Sequence, residues 1–296
     1  MRVAISGASG LIGKGLVQRL RGEGHELATL VRGRVPGPNE IRWDPMAGEI
    51  DSRGLEGLDA VVHLSGENIS GRFTAARKKA ITESRVLSTA LISRTLAKLA
   101  RKPKALICAS AIGYYGNRGD EPLDEGSGAG TGFLPDVCVA WEAAAAPARE
   151  AGIRVCHVRV GVVLSTKGGA LKELLTPFKL GVGGRLGDGK QFMSWIDYDD
   201  IVGAFQHCLV TEELSGPVNG TGPAPVSNAE FTKVLGRILH RPTLFPLPAA
   251  VIRTLFGEMG QVLLLEGARI APTALEKSGY RFRFSTLEDS LRHQLG

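Results

Sequence analysis

Three glycines near the N-terminus have the spacing of a loop that holds phosphate groups. Gly7, Gly10 and Gly13 follow a short apolar run and open a stretch of helical period. In such a strand–turn–helix unit the first glycine permits a tight turn, the second lets the backbone approach a pyrophosphate, and the third lets the helix pack on the strand. Backbone N–H groups and the helix dipole then attract the phosphates. The spacing predicts a dinucleotide-binding loop. Its other members are Ser9, Leu11 and Ile12.

The end of the second predicted strand bears on the choice of cofactor. NAD-binding units carry an acid at this place, which accepts hydrogen bonds from the ribose 2′-hydroxyl. The string LVRGR at positions 30–34 contains no acid. The planar guanidinium of Arg32 is suited to a 2′-phosphate. The sequence therefore favours NADP(H), with a surface arginine in a turn as the alternative for Arg32.

The elements that must position this loop follow an alternating pattern. Apolar β-branched runs alternate with longer stretches of helical period, which predicts an α/β fold built as a Rossmann-type, doubly wound parallel sheet. The predicted strands are residues 2–6, 26–31, 41–43, 60–65, 104–110 and 155–160. The predicted helices are residues 12–21, 75–99 and 136–151.

The pattern changes after residue 163. We expect a dinucleotide-binding domain over residues 1–163 and a smaller C-terminal substrate lobe over 164–296, parts of which return to the main sheet. Five glycines at positions 181–189 predict a loop, and their density suggests a mobile one. Ser227 and Glu230 have the spacing of a capping box that opens a predicted helix over residues 230–239.

Composition narrows the class of protein. The chain has 296 residues, 43% of them hydrophobic, and a formal charge of +6. Ten Lys or Arg residues lie between positions 72 and 104 against one acid. A solvated helix face explains this charge best, attraction of an anionic cofactor or substrate second, and nucleic-acid binding is disfavoured because no recognition motif accompanies it. The sequence contains no Cys-x-x-Cys pair, so no metal site is predicted. Without an apolar run of about 20 residues or a signal sequence, a cytoplasmic protein is expected.

Further strings extend over nearly the whole chain. They are LSGENI (64–69), ESR (83–85), GYYG (113–116), WE (141–142), RVGVVL (159–164), PFKLG (177–181), WID (195–197), NAEF (228–231) and LEG (265–267). Together with the glycine loop, the chain resembles the extended short-chain dehydrogenase/reductase superfamily, and within it the atypical, sugar-nucleotide-epimerase-like branch of "epimerase family proteins". The resemblance implies NADP(H) binding. The cofactor-site residues that it implies are Arg32, Leu64, Ser65, Arg85 and Val163.

The sequence departs from this superfamily at the usual catalytic residues. Active members use a Tyr-x-x-x-Lys pair, in which the tyrosine transfers a proton and the lysine lowers its pKa and holds the nicotinamide ribose. Counted back from Glu142, these two places fall on Leu134 and Cys138, and no Tyr-x-x-x-Lys occurs elsewhere in the chain. The place of the usual serine falls on Ala111, one residue after Ser110. The cofactor site is therefore expected to be intact and the usual catalytic group absent.

Other hydroxyl groups are candidates for proton transfer. Ser110, Tyr114 and Tyr115 follow the predicted strand 104–110, and doubly wound folds place reactive groups at the carboxyl ends of strands. Packing or nucleotide stacking is the alternative for the tyrosines. His63 is expected to pack at a strand end, since no partner for acid–base work is evident. Two functions stay open: an NADP(H)-dependent oxidoreductase or epimerase-like enzyme acting on an unknown small molecule, and a catalytically silent NADP(H)-binding sensor. The oligomeric state is not indicated.

Overall fold

A computed structural model describes residues 1–33 and 35–296, so that Arg34 of the LVRGR string lies outside the described residues. In chain order the strands are β1 (Arg2–Ser6), β2 (Glu26–Val31), β3 (Glu40–Asp44), β4 (Glu49–Ile50), β5 (Ala60–His63), β6 (Ala105–Ala111), β7 (Gly119–Leu123), β8 (Arg154–Val160), β9 (Val162–Leu164), β10 (Phe192–Met193), β11 (Trp195–Asp197), β12 (Gly216–Gly220), β13 (Val226–Ser227) and β14 (Ala268–Ile270).

The helices lie mostly between these strands. They are α1 (Leu11–Gly22), α2 (Ala75–Lys98), α3 (Phe133–Ala143), α4 (Ala146–Glu150), α5 (Gly169–Lys179), α6 (Tyr198–Val210), α7 (Asn228–Ile238), α8 (Ala249–Gly260), α9 (Thr273–Lys277) and α10 (Leu287–Leu295). A single π-helical turn, Gln261–Leu265, follows α8. No helix within the described ranges is long and apolar enough to cross a membrane.

Eight strands form one sheet in the order β12-β8-β6-β5-β1-β2-β3-β4, and every pairing except that of β3 with the edge strand β4 is parallel. Helices α1 and α6 bury Leu16 and Phe205 against one face of the sheet, while α2 buries Ile92 against the other. Covering both faces removes the strands from water, which is why their sequences read as continuous apolar runs. The predicted Rossmann-type, doubly wound sheet is confirmed.

One predicted helix is divided in two. The expected helix over residues 136–151 is α3 and α4, separated by a short turn. Pro147 lies in the first turn of α4. A proline has no N–H to donate and its ring clashes with the carbonyl four residues before it, so a helix cannot pass through this position without a break.

The smaller lobe gathers around a separate hydrophobic cluster. Helices α5, α7 and α10 contribute Phe178, Leu235 and Leu291, which pack around the buried Trp195. The Ser227 hydroxyl accepts a hydrogen bond from the Glu230 N–H at 3.2 Å, as expected for an N-cap, and α7 begins two residues earlier than predicted. Although α6 and β12 belong to the same half of the sequence, α6 packs on α1, and β12 pairs with β8 as an edge strand of the main sheet.

The glycine-rich loop at positions 181–189 is pinned rather than loosely attached. The Gly187 N–H donates to Leu247 O, and the Leu247 N–H donates to Arg185 O, each at 2.9 Å. A Cβ at Gly184 would overlap the backbone of Phe245. Close backbone approach accounts for Gly184, and a left-handed φ of +60° accounts for Gly187. The mobility of this loop stays a prediction.

Candidate functional site

The glycine loop closes on itself and on the neighbouring strand. Gly7 has φ +70°, and a Cβ at this position would lie 2.8 Å from the carbonyl carbon of Leu64. A Cβ at Gly13 would overlap Gly7 O and lie 2.9 Å from the Ala8 Cα. At Gly10, by contrast, the neighbour within 4 Å is Gly7 O at 3.2 Å. The first and third glycines are thus required by backbone contacts, whereas the outer side of Gly10 is open.

Helix α1 starts directly at this opening. Its N-cap is Gly10, so no side chain caps the helix, and its first turn contains no acid. The first helical hydrogen bond runs from the Lys14 N–H to Gly10 O at 3.0 Å. The N–H groups of residues 11–13 meet no acceptor in the part of the chain that the structure describes. Free N–H groups at the positive end of a helix form a site for an anion such as a pyrophosphate.

Leu64 and Ser65 border the loop because the Gly7 backbone packs against theirs. The residue before them, His63, is fully buried, with Nδ1 2.6 Å from Ser6 Oγ and Nε2 3.0 Å from Ser88 Oγ. Burial lowers the pKa of His63 to about 3. A neutral imidazole with both nitrogens engaged holds β1, β5 and α2 together, which agrees with the packing role expected for it.

The two arginines assigned to the cofactor differ in their surroundings. Arg32 is exposed at the carboxyl end of β2, beside β1, and makes no hydrogen bond or ion pair with the described residues. Arg85 is half-buried and donates to Glu67 O at 2.9 Å and to Ile81 O at 3.1 Å, with its guanidinium 5.1 Å from the centre of the Trp141 ring. Burial lowers the pKa of Arg85. Arg85 therefore braces the segment that follows Ser65, whereas Arg32 is free to bind a ligand.

Val163 reaches the same region from β9. Its carbonyl oxygen lies 3.6 Å from the position of a Cβ at Gly169, and the Leu11 side chain lies 3.6 Å from that of a Cβ at Gly168. Gly168 and Gly169, the N-cap and first residue of α5, therefore pack next to the first residue of α1. The structure thus brings Val163 close to the glycine loop, although 150 residues separate them in sequence.

Ser110 and Tyr115 belong to a buried polar network with Glu142, Arg159 and Asn219. Ser110, Arg159 and Asn219 are cross-strand neighbours on β6, β8 and β12. The Ser110 hydroxyl donates to Glu142 Oε1 at 2.7 Å, and the Arg159 guanidinium forms two hydrogen bonds of 2.8 Å with the same carboxylate. Burial alone would lower the pKa of Arg159, but the hydrogen bonds and charge of Glu142 raise it above its usual value.

Both tyrosines contact the Arg159 guanidinium, Tyr115 through its hydroxyl and Tyr114 through its ring. Tyr115 is fully buried; its hydroxyl accepts from Arg159 at 2.9 Å and lies 2.7 Å from Asn219 Oδ1, and burial raises its pKa. Tyr114 is half-buried, and its ring centre lies 3.5 Å from the Arg159 Cζ. The Tyr114 hydroxyl takes part in no hydrogen bond with the described residues. Sequence reasoning missed Arg159 and Asn219, because no local pattern shows which residues face each other across strands.

Comparison with known proteins identifies the family. Residues 3–219 match the model of the "NAD dependent epimerase/dehydratase family". The chain belongs to this family. Residues 247–294 match a further model, "Domain of unknown function (DUF1731)". Epimerase family protein Mb2239 of Mycobacterium bovis is 46% identical over 290 residues, covering 98% of this chain and 96% of that protein. Human epimerase family protein SDR39U1 is 38% identical over 296 residues, covering 99% of each.

A solved structure of human epimerase family protein SDR39U1 (isoform 2) with NADPH superposes with a TM-score of 0.91, at 36% identity over 99% of this chain and 98% of that chain. Membership of the epimerase/dehydratase family supports a nucleotide cofactor, and the glycine cradle with its free N–H groups fits one. The resemblance inferred from the sequence strings is confirmed.

Leu134 and Cys138, on which the sequence count places the usual tyrosine and lysine, are apolar side chains. A Cβ at Gly113 would lie 3.3 Å from Leu134 Cβ and 3.8 Å from Cys138 Sγ, so both side chains cover the turn after β6. The Cys138 thiol points to Ala111 O at 3.7 Å, and burial raises its pKa to about 12. Neither residue exchanges a proton near neutral pH, so any proton transfer uses another group.

Proposed function

We propose that this epimerase/dehydratase-family protein binds NADP(H) and acts as an oxidoreductase on a small molecule, with Tyr114 as the proton-transferring group. One observation carries the proposal: a cradle closed by Gly7 and Gly13 lies beside Arg32, where a NAD-binding unit would have an acid, and Arg32 pairs with none of the residues that the structure describes. The NADPH in the structure of the human relative supports the same cofactor.

Each part of the site has a separate task toward the cofactor. The N–H groups of residues 11–13 hold the pyrophosphate, and Arg32 pairs with the 2′-phosphate. Leu64 and Ser65 border the adenosine half, while Val163 lies toward the nicotinamide half. Bound NADP(H) supplies or accepts a hydride. Arg85 does not touch the phosphates in this scheme; it fixes the segment after Ser65 through Glu67 O.

The three hydroxyl residues divide into two roles. Ser110 is buried with its hydroxyl donated to Glu142, and the Tyr115 hydroxyl is enclosed between Arg159 and Asn219. Both hold the turn after β6 in place. The Tyr114 hydroxyl has no partner among residues 1–33 and 35–296, and its ring lies on the Arg159 guanidinium. Tyr114 is therefore the group among the three that can exchange a proton with a substrate.

Cofactor selectivity tests the role of Arg32. NADPH should bind more tightly than NADH, and Arg32→Ala should remove most of the difference. One charge-assisted contact contributes about 1.5–3 kcal/mol, which corresponds to roughly 10- to 150-fold in affinity. Titration calorimetry with both cofactors measures it, with Arg42→Ala, an exposed arginine on β3, as the matched control. Equal affinity of the unaltered protein for the two cofactors would overturn the proposed NADP(H) specificity.

Turnover tests the role of Tyr114. Purified protein with NADPH should show slow reduction in a screen of carbonyl compounds and sugar nucleotides, because no lysine assists the proton donor. Tyr114→Phe together with Tyr115→Phe should lower that rate at least about tenfold while NADPH still binds. Tyr114→Phe alone should cause most of the loss. Full activity in the double variant would place the proton donor elsewhere.

A catalytically silent NADP(H) sensor is the second candidate function, and the apolar residues Leu134 and Cys138 favour it. It predicts tight NADPH binding, a spectroscopic or conformational response to NADPH, and no consumption of NADPH with any compound of the screen. Both candidate functions therefore predict tight NADPH binding in the cofactor titration. They differ in the turnover screen, where only the oxidoreductase consumes NADPH.

A further inference from the structure

The C-terminal region that matches a domain of unknown function touches both walls of the proposed site. Helix α8 contacts the segment 66–78, which follows Leu64 and Ser65 at the end of β5. The end of the same region pairs with β7, which follows Tyr114 and Tyr115 at the end of β6. Residues 254–270 therefore bridge the carboxyl ends of β5 and β6, where the proposed cleft lies.

One end of this bridge is held firmly. Strand β14 pairs with β7, and the buried Ser194 hydroxyl donates to Ala268 O at 2.7 Å and accepts from the Ile270 N–H at 3.0 Å. The Arg118 N–H donates to Gly267 O at 3.2 Å, and a Cβ at Gly267 would overlap Phe192. Ser194, Ala268 and Ile270 are buried, so the hydrogen bonds of this hydroxyl open only with the surrounding fold.

The middle of the bridge is held by exposed polar contacts. Arg72 Nη2 donates to Thr254 O at 3.2 Å and Leu255 O at 3.1 Å, and Lys78 Nζ lies 2.7 Å from a carboxylate oxygen of Glu258. The side chains of Lys78 and Glu258 are 32% and 45% exposed. Exposed ion pairs of this kind are weak and screened by salt.

Helix α8 itself is poorly anchored over this stretch. Its buried residues are Ile252 and Gly260, and the helix is interrupted between them at Gly257, which has φ +60° and ψ −142°. Positive φ favours glycine, so the chain has a built-in bend next to Glu258. We call residues 254–258 the tip.

The segment 66–78, on which the tip lies, has contacts of its own that do not involve α8. Arg77 pairs with Glu67 at 2.8 Å and donates to Ser70 O at 3.2 Å, and Phe73 packs edge-on against Phe133 with ring centres 5.3 Å apart. The segment 66–78 is thus tied to itself and to α3. These contacts remain when those of Arg72 and Lys78 with α8 break.

We propose that the tip is a gate over the cleft, held closed by Arg72 and Lys78, and that a small-molecule substrate enters when these contacts break. The place of the cleft rests on the proposed function; the motion of the tip does not. Opening pivots on the firm attachments at Leu247 and β14, so the rest of the fold stays intact.

Hydrogen exchange of the free protein tests the motion. Amides of α8 should exchange faster than those of β14, and faster still when NaCl is raised from about 20 mM to about 500 mM. Lys78→Glu should raise α8 exchange about two- to fivefold, and the double variant Lys78→Glu, Glu258→Lys should restore the original rate. Lys79→Glu, which alters a neighbouring cation paired with Glu83 instead of α8, is the matched control.

Labelling of Leu134→Cys with N-ethylmaleimide tests access to the cleft, with modification followed at this residue by mass spectrometry. The labelling rate should rise with Lys78→Glu by a factor similar to that for exchange, and fall again in the double variant. The gate would be overturned if the amides of α8 and β14 exchanged at equal rates, or if the charge-swapped double variant did not restore the original exchange rate. A labelling rate that is the same with and without Lys78→Glu would also overturn it. NADPH titration of the same variants reports on the proposed function separately, because neither exchange nor labelling needs the cofactor.

Discussion

A valine at position 10 is expected to abolish NADPH binding and leave the fold in place. Gly10 has φ −72° and ψ 174°, extended backbone that a β-branched residue adopts readily, and a Cβ there meets Gly7 O at 3.2 Å. This contact is tight and needs a small shift of Gly7 O, far less than the overlap at Gly13, so we expect the fold to accept the side chain at a small cost in stability. The two branched methyl groups would occupy the open side where the pyrophosphate approaches the N–H groups of α1. Loss of two or more charge-assisted contacts should reduce NADPH affinity at least about a hundredfold.

Gly13→Ala is the informative contrast, because it should lose both stability and binding. Alanine is better than glycine in a helix by about 1 kcal/mol. Here its Cβ would overlap Gly7 O and crowd the Ala8 backbone, neither of which can move without opening the turn. Overpacking costs roughly 1–3 kcal/mol or more, so the clash outweighs the helical preference.

Urea unfolding and enhancement of NADPH fluorescence measure the two effects separately. Gly22→Ala, at the end of the same helix and with no neighbour within 4 Å of its Cβ, is the control and should keep both stability and binding. Normal NADPH fluorescence in Gly10→Val would exclude the glycine loop from the cofactor site.

The glycine loop shows what a sequence determines locally. The first two strands have the predicted ends, because a short apolar run bounded by glycine or charge sets both the start and the end of a strand. The loop between β1 and α1 depends on residues within one turn of each other, so spacing alone located Gly7 and Gly13. Likewise the Ser227 cap involves residues three positions apart.

The polar network shows what a sequence does not determine. Ser110, Arg159 and Asn219 meet because three parallel strands lie side by side in a particular register, and register is a property of the sheet rather than of any one strand. In the sequence, Glu142 serves as the reference position for counting back to Leu134 and Cys138, but nothing there indicates that its carboxylate binds Arg159 and Ser110. The contact of Arg72 with the tip joins residues 182 positions apart, for which no local periodicity exists.

Arg159→Met is expected to destabilise the protein by about 3–5 kcal/mol, because it would leave the Glu142 carboxylate without its partner in the interior. The side chains of Arg159 and Glu142 are 3% and 15% exposed, so water cannot replace the two lost hydrogen bonds. The Tyr115 hydroxyl would lose a donor and Tyr114 the flat surface that fixes its ring. Urea unfolding should show the loss, and NADPH oxidation should fall with it because the turn after β6 is no longer held.

An exposed Arg–Glu pair with the same two hydrogen bonds is the control, because it differs from the Arg159–Glu142 pair in burial and not in charge. Arg118 and Glu121 also form a two-hydrogen-bond pair, at 2.8 and 2.6 Å, but with side chains 30% and 50% exposed. Arg118→Met should change stability little, since solvent takes the place of the guanidinium. In the Arg159→Met background, Glu142→Gln should recover part of the lost stability by removing the isolated charge. If Arg159→Met and Arg118→Met had equal effects, the network under Ser110 and Tyr114 would contribute no more than a surface ion pair, and its role in holding the site would have to be abandoned.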